Sequence, residues 1–348
     1  MSLSILPPEL KLNIAEHLDP GSTCRFARTS KAHLALCKDI LREDARLSAQ
    51  YSVVTPSGYD DHLVWNLARE ILQDQRKAWF VRDMNLLPDR PERNEDMSEE
   101  DKKLFKNAVK AFLPKYHPDW TFFNSDTEDP ESLDDDMDSV AEGFEDPILV
   151  ILFHHLPRLR TFRMTVNGVG CLAGFLRRVA AGYRDPTTAS RMPLQQLKTA
   201  AVAHHDTEFS CSVDWAVYFL CIPSLRIFAA FSMGSEDVRS SDDDPDAGFG
   251  NSEAHLRNIA GAPVSNVEQL AFDNCQFNPQ SLNLILSMTK NLKKFGYHAG
   301  GHIVAYQDCE PRRVIKALAK HVGHSLEELQ LSECQIGFEV FCPVYITH

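Results

Sequence analysis

VEQLAFDNC (residues 267–275) and LEELQLSEC (residues 326–334) follow one order of residue types. An aliphatic residue comes first, then two polar positions, then Leu270 or Leu329, one spacer, and Phe272 or Leu331. Alternation of this kind sends the large apolar side chains to one face of a short strand and the spacers to the other. Asn274 and Cys275, or Cys334, follow where the chain must leave the strand, and a polar side chain there can satisfy backbone groups of the turn.

Working outward, weaker versions recur in LPRLRTFRMTV (156–166), MPLQQLKTAAV (192–202), IPSLRIFAAF (222–231) and TKNLKKFGY (289–297). Taking Leu159, Leu194, Leu225, Val267, Leu292 and Leu326 as first anchors gives intervals of 35, 31, 42, 25 and 34 residues. Such spacings suit stacked supersecondary units. GCLAGFLRRVAAG (170–182) and PRRVIKALAKHVG (311–323) read as helices between strands. The longest interval contains an acidic stretch, residues 236–246, with six carboxylates against Arg239, and reads as an insertion near 235–250.

This series, about 190 residues long, resembles leucine-rich repeats of the long irregular kind. The resemblance implies an α/β solenoid with parallel strands on its concave side. Residues between the anchors would face outward there: Arg160, Thr161 and Arg163 in the first unit, Gln195, Gln196 and Lys198 in the second, Arg226, Ile227 and Ala229 in the third. Charge along the face runs basic, polar, mixed, acidic, basic, acidic, which suits a mixed-charge protein surface rather than a polyanion. Arg160, Arg163 and Arg226 are the expected target contacts, because Arg combines a hydrogen-bonding fork with an apolar stem.

LPPELKLNIAEHLDP (6–20) places Leu6, Leu10, Ile14 and Leu18 four residues apart, a stripe on one helical face. Pro7 and Pro8 suit the first turn, and Asp19-Pro20-Gly21 stops the helix. Ser22 or Thr23 is expected to cap a second helix and Ser30 a third through KAHLALCKDIL (31–41). A helix this short is unstable alone, so its stripe must be covered by something. The stretch resembles the F-box motif at Leu6, Pro7, Glu9, Leu10, Ile14, Leu18 and Asp19, then at Ala27 to Ser30, Leu34 and Leu36. It departs at Thr23, Cys24, Thr29 and His33, where aliphatic, Val and Trp side chains are common in that family. The resemblance implies that Leu6, Pro7, Leu10, Ile14 and Leu18 dock the adaptor subunit of a cullin–RING ubiquitin ligase. DHLVWNLAREILQ (61–73) and SEEDKKLFKNAVKAFL (98–113) supply further helices, and residues 86–98 read as a linker.

The formal net charge of −13 is unevenly placed. Residues 126–146 hold eleven Asp or Glu and no Lys or Arg; taking this tract (−11) and the second (−5) from −13 leaves about +3 elsewhere. The longer tract cannot bury enough apolar surface to order itself, so 125–147 is expected to be a disordered loop. No cluster of cations with interleaved aromatics points to nucleic acid. No apolar run approaches a membrane span, and no secretory signal opens the chain. Nine cysteines without a CxxC pair read as reduced thiols, hence a cytoplasmic or nuclear protein. The apolar ending FEVFCPVYITH (338–348) reads as a closing strand or as a junction to further chain.

Sharper chemistries lose to plainer ones. Gly168, Gly170, Ala173 and Asp185 fit a dinucleotide fingerprint, yet the preceding strand alternates Phe162, Met164 and Val166 with Arg163 and Thr165, whereas a doubly covered strand is nearly all apolar. Asp134, Asp136, Asp138 and Glu145 have the spacing of a calcium loop, but Ser139 occupies the glycine position. Ser125, Ser132 and Ser139 each precede an acid by three, a pattern that acidic loops produce by chance. His298, His302 and Cys309 lack a completing ligand pair, and no hydrolase, metalloprotease or phosphate-loop motif occurs. Neither enzyme activity nor a cofactor or metal is expected. The organisation expected is an F-box-like three-helix module over 1–45, a helical linker region over 46–124, the acidic loop, and the solenoid over 148–348. The function expected is that of a ubiquitin-ligase substrate receptor, with a stand-alone interaction scaffold as the alternative and a nucleotide-binding enzyme as a third reading.

Overall fold

The computed structural model describes residues 5–56, 63–87, 98–116, 145–166, 171–204, 210–235, 264–300 and 311–333. The acidic tracts apart from residues 145–146, the calcium-loop acids Asp134 to Asp138, Gly168 and Gly170, His302, Cys309 and the C-terminal stretch lie outside them. Helices α1 (Pro8–His17), α2 (Pro20–Ala27), α3 (Lys31–Leu36) and α4 (Lys38–Tyr51) come first. Strands β1 (Val53–Val54) and β2 (Asp83–Leu86) flank helix α5 (Leu63–Gln73). Then come α6 (Glu99–Tyr116), α7 (Asp146–His155), β3 (Thr161–Val166), α8 (Cys171–Arg184), β4 (Thr199–His204) and β5 (Cys211–Ser212). The rest is α9 (Asp214–Leu220), β6 (Ile227–Phe231), β7 (Met233–Gly234), β8 (Gln269–Cys275), α10 (Pro279–Met288), β9 (Lys294–Ala299), α11 (Pro311–His321) and β10 (Glu328–Glu333).

Eight strands form one parallel sheet in the order β1-β2-β3-β4-β6-β8-β9-β10, while β5 and β7 pair separately. The large sheet never reverses direction of addition. Among the described residues it therefore has no switch-point crevice of the kind in which open α/β sheets hold nucleotides, and Asp185 is occupied by the backbone and hydroxyl of Thr187 at 2.8 and 2.7 Å. The sheet starts at Val53, inside the stretch read as a helical linker, because Val81-x-x-Met84-x-Leu86 repeats the anchor order of Leu159-x-x-Phe162-x-Met164.

A carbonyl at the head of each strand takes two N–H groups from the next strand. Arg82 O receives Arg160 and Thr161, Arg160 O receives Lys198 and Thr199, Lys198 O receives Arg226 and Ile227, and Arg226 O receives Glu268 and Gln269. The same forks join Glu268 O to Lys293 and Lys294, and Lys293 O to Glu327 and Glu328. Seven charged residues from Arg82 to Glu327 thus share one edge by backbone geometry alone. The second anchor is Leu197, not Leu194: Leu194 has a φ of 64° in the preceding turn, and Gln195 is spent on Ala189 and Met192 carbonyls. Gln195 and Gln196 consequently leave the sheet face, which in this strand presents Lys198, Thr199 and Ala201.

One sheet face packs against the helices. Met84, Phe162, Ala200, Phe228, Leu270 and Phe295 align in register and are all buried. Ala200 leaves a gap that Phe219 of α9 fills, 6.5 Å from Phe162 and 5.8 Å from Phe228. Helix α7 is apolar all round because it is enclosed, with Ile148 to Leu152 each fully buried. Burial of this core pushes the Cys211 and Cys221 thiols up to about 12 and that of Cys275 well above its usual range, so none is a thiolate nucleophile at neutral pH. Cys275 instead accepts the Met233 N–H at 3.4 Å, just after the bulge at Asn274.

Candidate functional site

The first four helices carry a core of their own. Ala15, Ala27 and Cys37 are buried together, with Phe26, Ile40 and Leu41 packed on them. Asp19 caps α2, accepting from Ser22 N at 2.9 Å, so the segment that stops α1 also starts the next helix and neither Ser22 nor Thr23 is the cap. Thr23 is fully buried and its hydroxyl donates to Ala15 O at 3.2 Å and Asp19 O at 3.0 Å. Ser30 caps α3 by accepting from His33 N. Thr29 and His33, two departures from the familiar pattern, meet at 2.7 Å, and the His33 ring stacks on Phe26 with centroids 4.4 Å apart. The third helix breaks at Cys37 into α3 and α4, and α4 runs on so that Leu47 and Tyr51 join the main core.

That small core leaves the stripe outside it. Leu10 is 53% exposed and Ile14 37%; Pro7 is exposed, and Leu6 and Leu18 are half-buried. Of the eight large apolar side chains exposed among the described residues, Ile5, Leu10, Ile14 and Leu34 fall in this short module. Scattered exposed Leu residues need no explanation, but four large apolar side chains exposed within thirty residues are a local concentration that a partner could cover.

Arg76 fixes the module to the sheet-bearing body. Its guanidinium grips Asp44 at 2.7 and 2.8 Å and donates to Leu18 O at 3.0 Å, tying α4 and the end of α1 to the segment after α5. Arg76→Met leaves Asp44, 7% exposed, without its cation. We expect a loss of about 2 kcal/mol, read as faster amide exchange in α1 to α3 with little change in the sheet strands.

The second surface is the open face of the sheet. Arg160 is exposed, Arg163 and Arg226 are half-buried, and the three do not converge. Arg160 and Arg226 stand on the head-of-strand edge with Lys198 between them, while Arg163 lies further along β3 beside Asn85 and Ala201. Arg226 is turned back on its own loop, donating to Pro223 and Leu225 carbonyls at 3.0 and 2.7 Å. Ala201, Ala229, Ala271 and Gly296 align into a low trough next to Arg163. Arg82 and Arg158 join the basic end but were missed in the sequence; the Val81 anchor would have revealed Arg82.

A cleft of about 590 Å³ opens at the other end of the edge, lined among others by Arg226, Glu268, Lys293 and Glu327. His298 pairs with Asp273 at 2.6 Å rather than in a ligand cluster, and among the described residues no group of three or more His, Cys, Asp or Glu is placed to hold a metal. No helix among the described residues is long and apolar enough to cross a membrane.

Residues 3–40 match the F-box domain family. F-box domains bind the adaptor of cullin–RING ligases. No curated protein matches the chain.

Proposed function

We propose that the chain is a substrate-receptor subunit of a cullin–RING ubiquitin ligase. The F-box domain docks the adaptor, the leucine-rich-repeat-like sheet holds a protein target, and the chain performs no catalysis of its own. The observation that carries this reading is the open stripe. A module serving only as a solenoid cap would turn Leu10 and Ile14 into the body, as the stand-alone scaffold reading requires; they face out instead. The sequential parallel order of the sheet supports the repeat reading of the remainder. The chain contributes proximity, raising the target's effective concentration at the ubiquitin-loaded enzyme.

Purifying the tagged full-length chain from cells tests this: adaptor and cullin are expected in the same fraction, and their absence contradicts it. Arg160, Arg163 and Arg226 are proposed as target contacts. Replacing all three by Ala should keep the fold and the adaptor while reducing capture of the physiological target at least about tenfold, the scale of losing interface arginines. Normal capture by that variant would move the target site elsewhere.

A further inference from the structure

The two ends of the head-of-strand edge use their charges differently. At the β8–β10 end the cations are spent: Lys293 pairs with Glu268 at 2.7 Å and Lys294 with Glu328 at 2.5 Å, while Arg226 lies 3.9 Å from Glu268. At the β2–β4 end the edge carries Arg82, Arg160 and Lys198, with Arg158 in the turn before β3 and Arg163 one row along the strand. Among the described residues, none of these five makes a salt bridge. Arg82 Nε and Arg163 Nε are buried without an acceptor among the described residues, an arrangement that costs free energy. Arg158 is pushed below the usual guanidinium range, first by its own burial and then by Arg82 and Arg160, with Asp19 opposing them. Among the described residues, Asp19 attracts Arg158 and Asp83 lies beside Thr161 in the register, two carboxylates against five cations.

We propose that this end of the sheet takes a carboxylate-rich, extended segment of the target protein, its Asp and Glu side chains lying along Arg82, Arg160 and Lys198. The proposal deepens the receptor reading of the sheet and rests on it. Arg82, Arg160 and Lys198 come one per strand, about 4.8 Å apart, and so form a line. A lone phosphate needs donors converging on one point, whereas carboxylates along an extended chain are themselves spread in a line. The small side chains of Ala201 and Ala229 adjoin that line on the open face.

The test uses the full-length chain and a fluorescein-labelled peptide of twelve residues alternating Glu and Ser, read by fluorescence anisotropy. Binding is expected, weakening as salt is raised. Arg160→Glu with Lys198→Glu should weaken it at least about tenfold. Arg312→Glu with Lys316→Glu, on exposed α11 positions, changes the net charge equally and should alter it by less than about twofold. If the first pair fails to fold, Arg160→Gln with Lys198→Gln should weaken binding in the same direction. Four results would overturn the proposal: no binding by the wild type, equal loss in both reversal pairs, binding only of a peptide with one phosphoserine and no Glu, or tighter binding of single-stranded RNA. Adaptor association, measured on the same proteins, should be unchanged. Its failure in the wild type would strike the F-box reading and leave the acidic-segment result standing.

Discussion

Phe228→Ala should destabilise the chain by about 4 kcal/mol, among the largest effects of any single truncation. Phe228 is fully buried in β6, one of the two central strands of the sheet, 5.8 Å from Phe219 and 6.3 Å from Phe272 by ring centroid. Its in-register neighbour on β4 is Ala200, whose side chain is too small to fill the space that Phe228 would leave. The packing also depends on Phe219 filling the Ala200 gap, and loss of Phe228 leaves that ring unsupported on one side. Urea unfolding should show a large fall in midpoint. Phe231→Ala, three residues on and 43% exposed on the open face, should shift it by no more than about 0.5 kcal/mol. Equal effects at the two positions would mean that the faces of β6 are assigned wrongly.

Leu10→Asp combined with Ile14→Asp should leave folding nearly intact and weaken adaptor binding at least about a hundredfold. Both side chains are already half in water, so a carboxylate at either site loses little native packing. In a docked complex the same carboxylates would be forced against apolar surface, where an unpaired charge is strongly disfavoured. Ala15→Asp provides the contrast: Ala15 is fully buried against Ala27 and Cys37, so that change should unfold the module rather than only undock it. The comparison separates a binding face from a core face on one ten-residue helix.

The N-terminal module was the more legible part of the sequence, because its signals are local. Proline at the first turn, the Ser30 cap and the four-residue stripe each act within one or two turns. The capping of α2 was misread because Asp19 closes one helix and opens the next with no loop between, and composition alone gives Ser22 and Thr23 equal claims. The sheet was legible as a series of anchors but not in its exact register. In MPLQQLKTAAV both Leu194 and Leu197 satisfy the pattern, and only pairing with Arg160 and Arg226 selects Leu197. Strand β2 escaped notice because Met84 stands where Leu is expected and a charged, proline-bearing stretch follows. The uncompensated cations were not legible either. Arg82, Arg158 and Arg160 become neighbours only when β2 joins β3, a relation between residues more than seventy positions apart.

Hydrogen exchange on the full-length chain, with and without the purified adaptor subunit, tests the central claim most directly. A stoichiometric complex is expected, in which amides of α1 and α3, around Leu10, Ile14 and Leu34, slow markedly while strands β3 to β10 exchange as before. Absence of a complex, or protection confined to the sheet with α1 unchanged, would contradict it.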